Sequence, residues 1–227
     1  AVTGISGVSV TGDVGMQKNT FAAAVNRDLT VAGVTKTLDL AATVSSFAGH
    51  NIILNVAGQK LRGDFVFEQV GATVKVTLAN VYLGLGNGTT DFVSISHGAG
   101  TLTMDAAGMS GNFSGTIATN IPDVSLTGAF TVNVLSDTAT PANDFVRVTG
   151  TGVTLAIAGQ TLAGNFVLEQ LTTAAGSKVV RVGVTNLTLS LGQGATTFVS
   201  VANGSGLMVI SAAGVAALLT GRGRYPL

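Results

Sequence analysis

The stretch Leu54-Asn-Val-Ala-Gly-Gln-Lys-Leu-Arg-Gly-Asp-Phe-Val-Phe-Glu-Gln69 returns 101 residues later as Leu155-Ala-Ile-Ala-Gly-Gln-Thr-Leu-Ala-Gly-Asn-Phe-Val-Leu-Glu-Gln170. Within each copy the large apolar residues alternate with polar or smaller ones. Leu61, Gly63, Phe65 and Phe67 share one side, as do Leu162, Gly164, Phe166 and Leu168 in the second copy. A period of two is the mark of a half-buried β-strand, since successive side chains of a strand point to opposite faces.

Working outward, the self-similarity spreads over the chain. Asn80-Val-Tyr-Leu-Gly-Leu-Gly86 returns as Asn186-Leu-Thr-Leu-Ser-Leu-Gly192, now 106 residues away, so the second copy holds five extra residues near Thr172 to Ser177. Phe92-Val-Ser-Ile95 returns as Phe198-Val-Ser-Val201, and Ala106-Ala-Gly108 as Ala212-Ala-Gly214. At the front, Ile5-Ser-Gly-Val-Ser-Val-Thr-Gly12 matches Ile121-Pro-Asp-Val-Ser-Leu-Thr-Gly128 at an offset of 116. Self-similarity at a fixed period signals a repeat architecture. The chain therefore divides into a unit at residues 1–120 and a second at 121–227, the first carrying a longer early segment from Gln17 to Phe47. It starts at Ala1 rather than Met and stops near the point where a third copy would begin. The start suggests a processed form or a fragment, and the stop suggests one section of a longer array.

One irregularity is repeated. Val74, Val76 and Leu78 alternate, and then the phase slips at Asn80 to Val81, Leu83 and Leu85. The second copy slips in the same way at Asn186, between Val180, Val182, Val184 and Leu187, Leu189, Leu191. A one-residue slip flips every later side chain to the other face, so a β-bulge or sharp bend is expected at Asn80 and Asn186. A third stripe runs through Val124, Leu126, Gly128, Phe130, Val132 and Val134. The pattern apolar, any, Gly, any, Phe occurs at Leu61, Met109, Leu126 and Leu162. Glycine weakens a strand interior, so this pattern reads as a packing device, a bend or a slot covered by a neighbouring aromatic. Turns are expected at Gly71, Asn87-Gly88, Gly98-Ala-Gly100 and Asn203-Gly204. The one stretch with helical character, Phe21 to Asp28, is too short to hold a helix alone.

The composition narrows the function. Of 227 residues only 10% are charged, against roughly 25% in an ordinary domain, and the 11 basic and 11 acidic residues cancel. Nucleic acid and anionic membranes call for a basic surplus that this chain lacks. Mean hydropathy is +0.54, so apolar surface must be covered, and assembly with copies of itself is one way to cover it. No apolar run is long enough for a transmembrane helix. A transmembrane barrel would need aromatic girdles, and the chain has no Trp and only Tyr82 and Tyr225. The absence of cysteine fits a bacterial exported protein.

Reactive groups are few. His50 and His97 correspond to Thr151 and Asn203, so neither would serve a metal or an acid–base role in both copies. No nucleophile elbow, phosphate-binding loop or dinucleotide fingerprint is present. Hence no catalytic residue, no enzyme activity and no cofactor are expected. Three carboxylates are weak candidates for calcium: Glu68 and Glu169, which recur with a following Gln, and Asp91 in Asn87-Gly-Thr-Thr-Asp91, which becomes Thr197. Calcium wants six or more oxygens, and a repeated strand-end Glu serves as well by bonding across to a neighbouring strand. Arg222 and Arg224 read as a solvated basic tail.

The Thr-, Val-, Gly- and Ala-rich strands, the missing cysteines and the tandem copies of about 100 residues together resemble the β-rich repeats of large bacterial secreted surface proteins and adhesins. That resemblance implies an extracellular or cell-surface location and a stalk, scaffold or adhesive role. Calcium binding between repeats would go with acidic clusters, but the seam at Ile121-Pro-Asp123 holds a single acid. The expected architecture is all-β: two similar units of mainly antiparallel strands, each a sandwich, flattened barrel or β-prism, in an elongated molecule, with a β-solenoid as the alternative. The expected role is structural, with copies of the chain or neighbouring repeats as partners and neither nucleic acid nor a membrane span. A binding module for calcium or glycan is the alternative.

Overall fold

A computed structural model describes residues 8–157, 160–173, 176–193, 196–211 and 213–224. The chain is all-β. Among the described residues, fourteen strands form one curled antiparallel sheet, and two more form a separate hairpin. Short strands β1 (Ser9–Thr11) and β2 (Gly15–Lys18) both pair with β5 (Ser45–Val56). Between them in sequence lies the hairpin of β3 (Val25–Val31) and β4 (Val34–Leu40). From β5 the sheet runs as a meander through β6 (Gln59–Val70), β7 (Thr73–Gly86), β8 (Asp91–Asp105) and β9 (Gly108–Thr119). The second copy repeats the plan: β10 (Val124–Thr127) and β11 (Phe130–Asp137) pair with β12 (Phe145–Ile157). The meander then continues through β13 (Gln160–Thr172), β14 (Lys178–Gln193), β15 (Thr196–Ser211) and β16 (Gly214–Arg224).

The boundary between copies does not interrupt the sheet. β9 pairs with β11 over eight residues, from Gly108 opposite Asp137 to Gly115 opposite Phe130. A single hydrophobic cluster runs through both copies.

The long strands bend, and the sequence says where. Asn80 and Asn186 hold left-handed backbone, with φ of 53° and 51°. The β7–β8 register shifts between Leu78 and Val81, and the β14–β15 register between Val184 and Leu187. The expected slip is therefore a bulge at each asparagine. Asn51, His97 and Asn203 share this backbone conformation, as does Gly152 where the second copy matches Asn51. Left-handed backbone is uncommon outside glycine, and Asn and His are among the residues that tolerate it. Across from the bends sit close-packed glycines. A methyl group on Gly63 would lie 2.9 Å from the Val81 Cα and the Ala79 carbonyl, and one on Gly164 would meet Thr185 and Leu187. The next residue completes the joint: Asp64 Oδ1 accepts the Asn51 N–H, and Asn165 Oδ1 accepts the Gly152 N–H. Three of the four apolar-Gly-Phe patterns, those at Leu61, Leu126 and Leu162, lie at such bends. The fourth differs, since its Gly111 packs on Leu102 instead.

The sheet curls so that its apolar face is enclosed. Inside the curled sheet a gap of about 10 Å³ is lined by Val93, Leu126, Leu155, Phe166, Leu168 and Met208 among others. Its lining is apolar but for Thr119, and it has at most marginal room for one water. The apolar stripes of the curled sheet are buried together as one core cluster among the described residues.

Several local expectations are corrected. Gly98-Ala-Gly100 and Asn203-Gly204 are not hairpin turns but bends inside β8 and β15. The segment Phe21 to Asp28 enters β3, because its alternation from Val25 onward pairs with β4. The stripe from Val124 to Val134 is two strands, divided at Gly128 (φ 143°), which lets both halves follow the bend of β12. Arg222 lies within β16 opposite Ala202, and Arg224 ends the strand opposite Ser200, rather than both lying in a tail. Tyr225 and Pro226 lie outside the described residues.

Candidate functional site

The most chemically varied surface is a pair of clefts where the two copies meet. The larger, about 550 Å³, is lined by Gln59, Asn143, Arg147, Glu169, Gln170 and Arg181 among others. The smaller, about 340 Å³, is lined by Lys60, Arg62, Tyr82, Asp91, Gln170 and Lys178 among others. Gln59 and Gln170 line both.

Glu169 stands on β13 between two cationic strands, opposite Arg147 of β12 and Arg181 of β14. Its Oε1 accepts from Arg147 Nε at 2.5 Å and its Oε2 from Arg181 Nη2 at 2.6 Å. Burial pushes the Glu169 carboxyl up, but hydrogen bonds from Arg181 and Arg147 outweigh it, leaving the group below its ordinary value. Both oxygens are thus engaged by guanidinium groups, and Arg147 also lies 4.2 Å from the centre of the Phe145 ring. The carboxylate works as a cross-strand tie.

Glu68 is the matching residue of the first copy. Its cross-strand neighbours are Ser46 and Lys75 where Glu169 has Arg147 and Arg181. Asp91 opens β8 and accepts a 2.7 Å hydrogen bond from the Tyr82 hydroxyl. Burial first, and then this bond to the carboxylate, raise the Tyr82 pKa above its ordinary value. The Asp91 carboxylate lies where a side chain on Gly84 would stand. The three calcium candidates therefore sit on three strands and do not converge. Among the described residues no three His, Asp or Glu side chains gather to hold a metal ion.

The histidines have separate places. His50 Nδ1 lies 3.0 Å from Asp64 Oδ1 at the first bend. Asp64 also accepts from Asn80 Nδ2 at 2.8 Å, and the bonds from Asn80 and then His50 lower its pKa. His97 is a bend residue, which explains its exchange for Asn203.

The contact missed in the sequence is the reach of Gln170 to the other copy. Its Oε1 accepts the backbone N–H of Gly86 at 2.7 Å, linking β13 of the second copy to the end of β7 in the first. The recurrence of Glu-Gln was the available signal. Its equivalent, Gln69, lies exposed near the β6–β7 turn and donates a long 3.4 Å bond to the Gly71 carbonyl. No helix among the described residues is long and apolar enough to cross a membrane. Compared with protein-family models, curated proteins and solved structures, the chain matches none.

Proposed function

We propose that this chain is a structural repeat section of an extracellular surface protein or filament, whose work is to extend and join a β-sheet rather than to transform a substrate. The observation that carries this reading is the seam. Two copies of the unit meet by pairing β9 with β11, and their cores fuse there. A unit built this way propagates by adding further copies to the same sheet, as in arrays where each repeat contacts its neighbours. The near absence of net charge supports it, since little electrostatic repulsion opposes association. The clefts fit the same role: the Glu169 carboxylate is held by two arginines within one copy, and Gln170 ties one copy to the other.

Sedimentation velocity over a hundredfold range of concentration, with electron microscopy of the same samples, tests the reading. Species that grow with concentration, and fibres with an axial repeat of one or two units, are expected. A monomer at every concentration that gains thermal stability from calcium or a glycan would replace the structural role with a binding one.

A further inference from the structure

The two outer edges of the sheet are the two sides of the internal seam. β16 corresponds to β9 at an offset of 106, and β2 corresponds to β11 at an offset of 116. Backbone pairing confirms the second match independently. Met16 lies opposite Phe47 as Val132 lies opposite Val148, and Phe47 precedes Val148 by the 101 residues of the central repeat. Inside the chain, β9 and β11 cover one another. Among the described residues, β16 pairs only with β15 and β2 only with β5.

The exposure follows the pairing. On β11 Val132 is 0% exposed, while its equivalent Met16 is 62% exposed. On β9 Met109 is 1% exposed, while its equivalent Val215 is 39% exposed. Beside β2 opens an apolar cleft of about 370 Å³, lined by Val10, Val14, Phe47, Phe67, Val74 and Met104. The residues that match them in the second copy, Leu126, Phe130, Val148, Leu168, Val180 and Ile210, are all core. Among the described residues, the cleft is thus the place where the first copy lacks the neighbour that the second copy has.

We infer that the occupant of the β2 edge is β16 of a second copy of this chain, docked antiparallel in the register of the β9–β11 seam. Carrying the seam register across the two offsets puts Leu219 opposite Met16, Leu218 opposite Gln17 and Ala217 opposite Lys18. Val215 and Leu219 then cover the apolar cleft as Met109 and Phe113 cover the start of the second copy. Gln69 reaches the backbone N–H of Gly192 in the partner as Gln170 reaches Gly86. The contact is head to tail, so it leaves one β2 edge and one β16 edge free and does not close. Exposed edge strands are ready templates for such pairing. This inference rests on the structural reading above and specifies the partner and the register.

The absence of cysteine makes a clean test. Gln17 and Leu218 both point away from the core, so a chain carrying Q17C and L218C can be oxidised without entering it. Directly opposed residues of antiparallel strands have Cα atoms about 4.5–5.5 Å apart, within disulfide range, while diagonal ones are about 7–8 Å apart. A covalent ladder of dimers, trimers and longer species is expected from Q17C/L218C. The shifted pair Q17C/T220C should yield less than a tenth of that ladder. Either single variant should remain uncrosslinked. A dimer from a single variant would show symmetric pairing and overturn the inference, as would an equal ladder from the shifted pair. The double variant V14D/M16D alters side chains already exposed in the monomer, so its fold should persist by circular dichroism while association is lost. Association that persists in V14D/M16D with no Q17C/L218C ladder would refute this register and leave self-assembly standing. No association of the native chain at any concentration would refute both.

Discussion

β9 and β16 are the same strand in two settings. In β9, Phe113 and Met109 lie beneath the pairing with β11 and are nearly inaccessible. In β16, Val215 is well exposed and Leu219 only partly covered. The sequences differ little in pattern, so the difference in burial comes from the neighbour and not from the strand. Within the chain, the first copy has its last strand covered by the opening strands of the second.

The largest effect should come from breaking the covered member. Phe113→Ala removes a fully buried ring and should cost about 3–5 kcal/mol, whereas the equivalent Leu219→Ala should cost about 1 kcal/mol in the monomer. Urea denaturation at low protein concentration measures both. Equal costs would show that the two edges do not differ as described. Next comes the bend that folds the sheet upon itself. Gly63→Val and Gly164→Val would each press a side chain into the backbone of the adjacent strand, at about 2–3 kcal/mol. Thermal unfolding of these variants is expected to show matching losses in the two copies.

Much of this was legible in the sequence. The alternation in Leu61 to Phe67 and its repeat determined strand type and buried face, and the phase slip at Asn80 and Asn186 located the bulges. The bends at His97 and Asn203 were harder to see, because Gly98 and Gly204 beside them are also turn residues. Only pairing across to β9 and β16 shows that the strands continue. The continuity of the sheet through the seam was not legible at all. Pairing between β9 and β11 joins residues on opposite sides of the repeat boundary, and no local pattern specifies which edge meets which. In the cleft, the tie made by Glu169 could be anticipated as a cross-strand contact. The reach of Gln170 to a backbone N–H of the other copy depends on tertiary placement.

Smaller effects sharpen the comparison of bends. Asn186→Ala should cost about 1–2 kcal/mol because a Cβ without a local polar partner is strained in left-handed backbone, while Asn186→Gly should be near neutral. His97→Asn should likewise be near neutral, since Asn203 occupies the equivalent bend. A loss of more than 2 kcal/mol there would mean that the imidazole does something beyond supplying the backbone conformation. Smallest is the contrast between the two recurring glutamates. Glu169→Gln should cost about 1 kcal/mol near neutral pH, discounted for the partial exposure of both arginines, and Glu68→Gln almost nothing. Because the folded Glu169 pKa lies below the unfolded value, its contribution is whole above about pH 4.3 and fades as pH falls through the folded value. Denaturation midpoints of native chain and Glu169→Gln should therefore converge in acid. A gap that persists below both pKa values would contradict the ion-pair account.

Amide hydrogen exchange at two protein concentrations addresses the equivalence of seam and edges most directly. Residues 108–115 and 130–137 serve as the internal reference, since their pairing lies within one chain. The account expects these to be protected at every concentration, and residues 14–18 and 214–221 to exchange fast when dilute and slow together when concentrated. Exchange at both outer edges that stays fast while the chain assembles would contradict it, placing the contact between copies somewhere other than at the unfinished ends of the sheet.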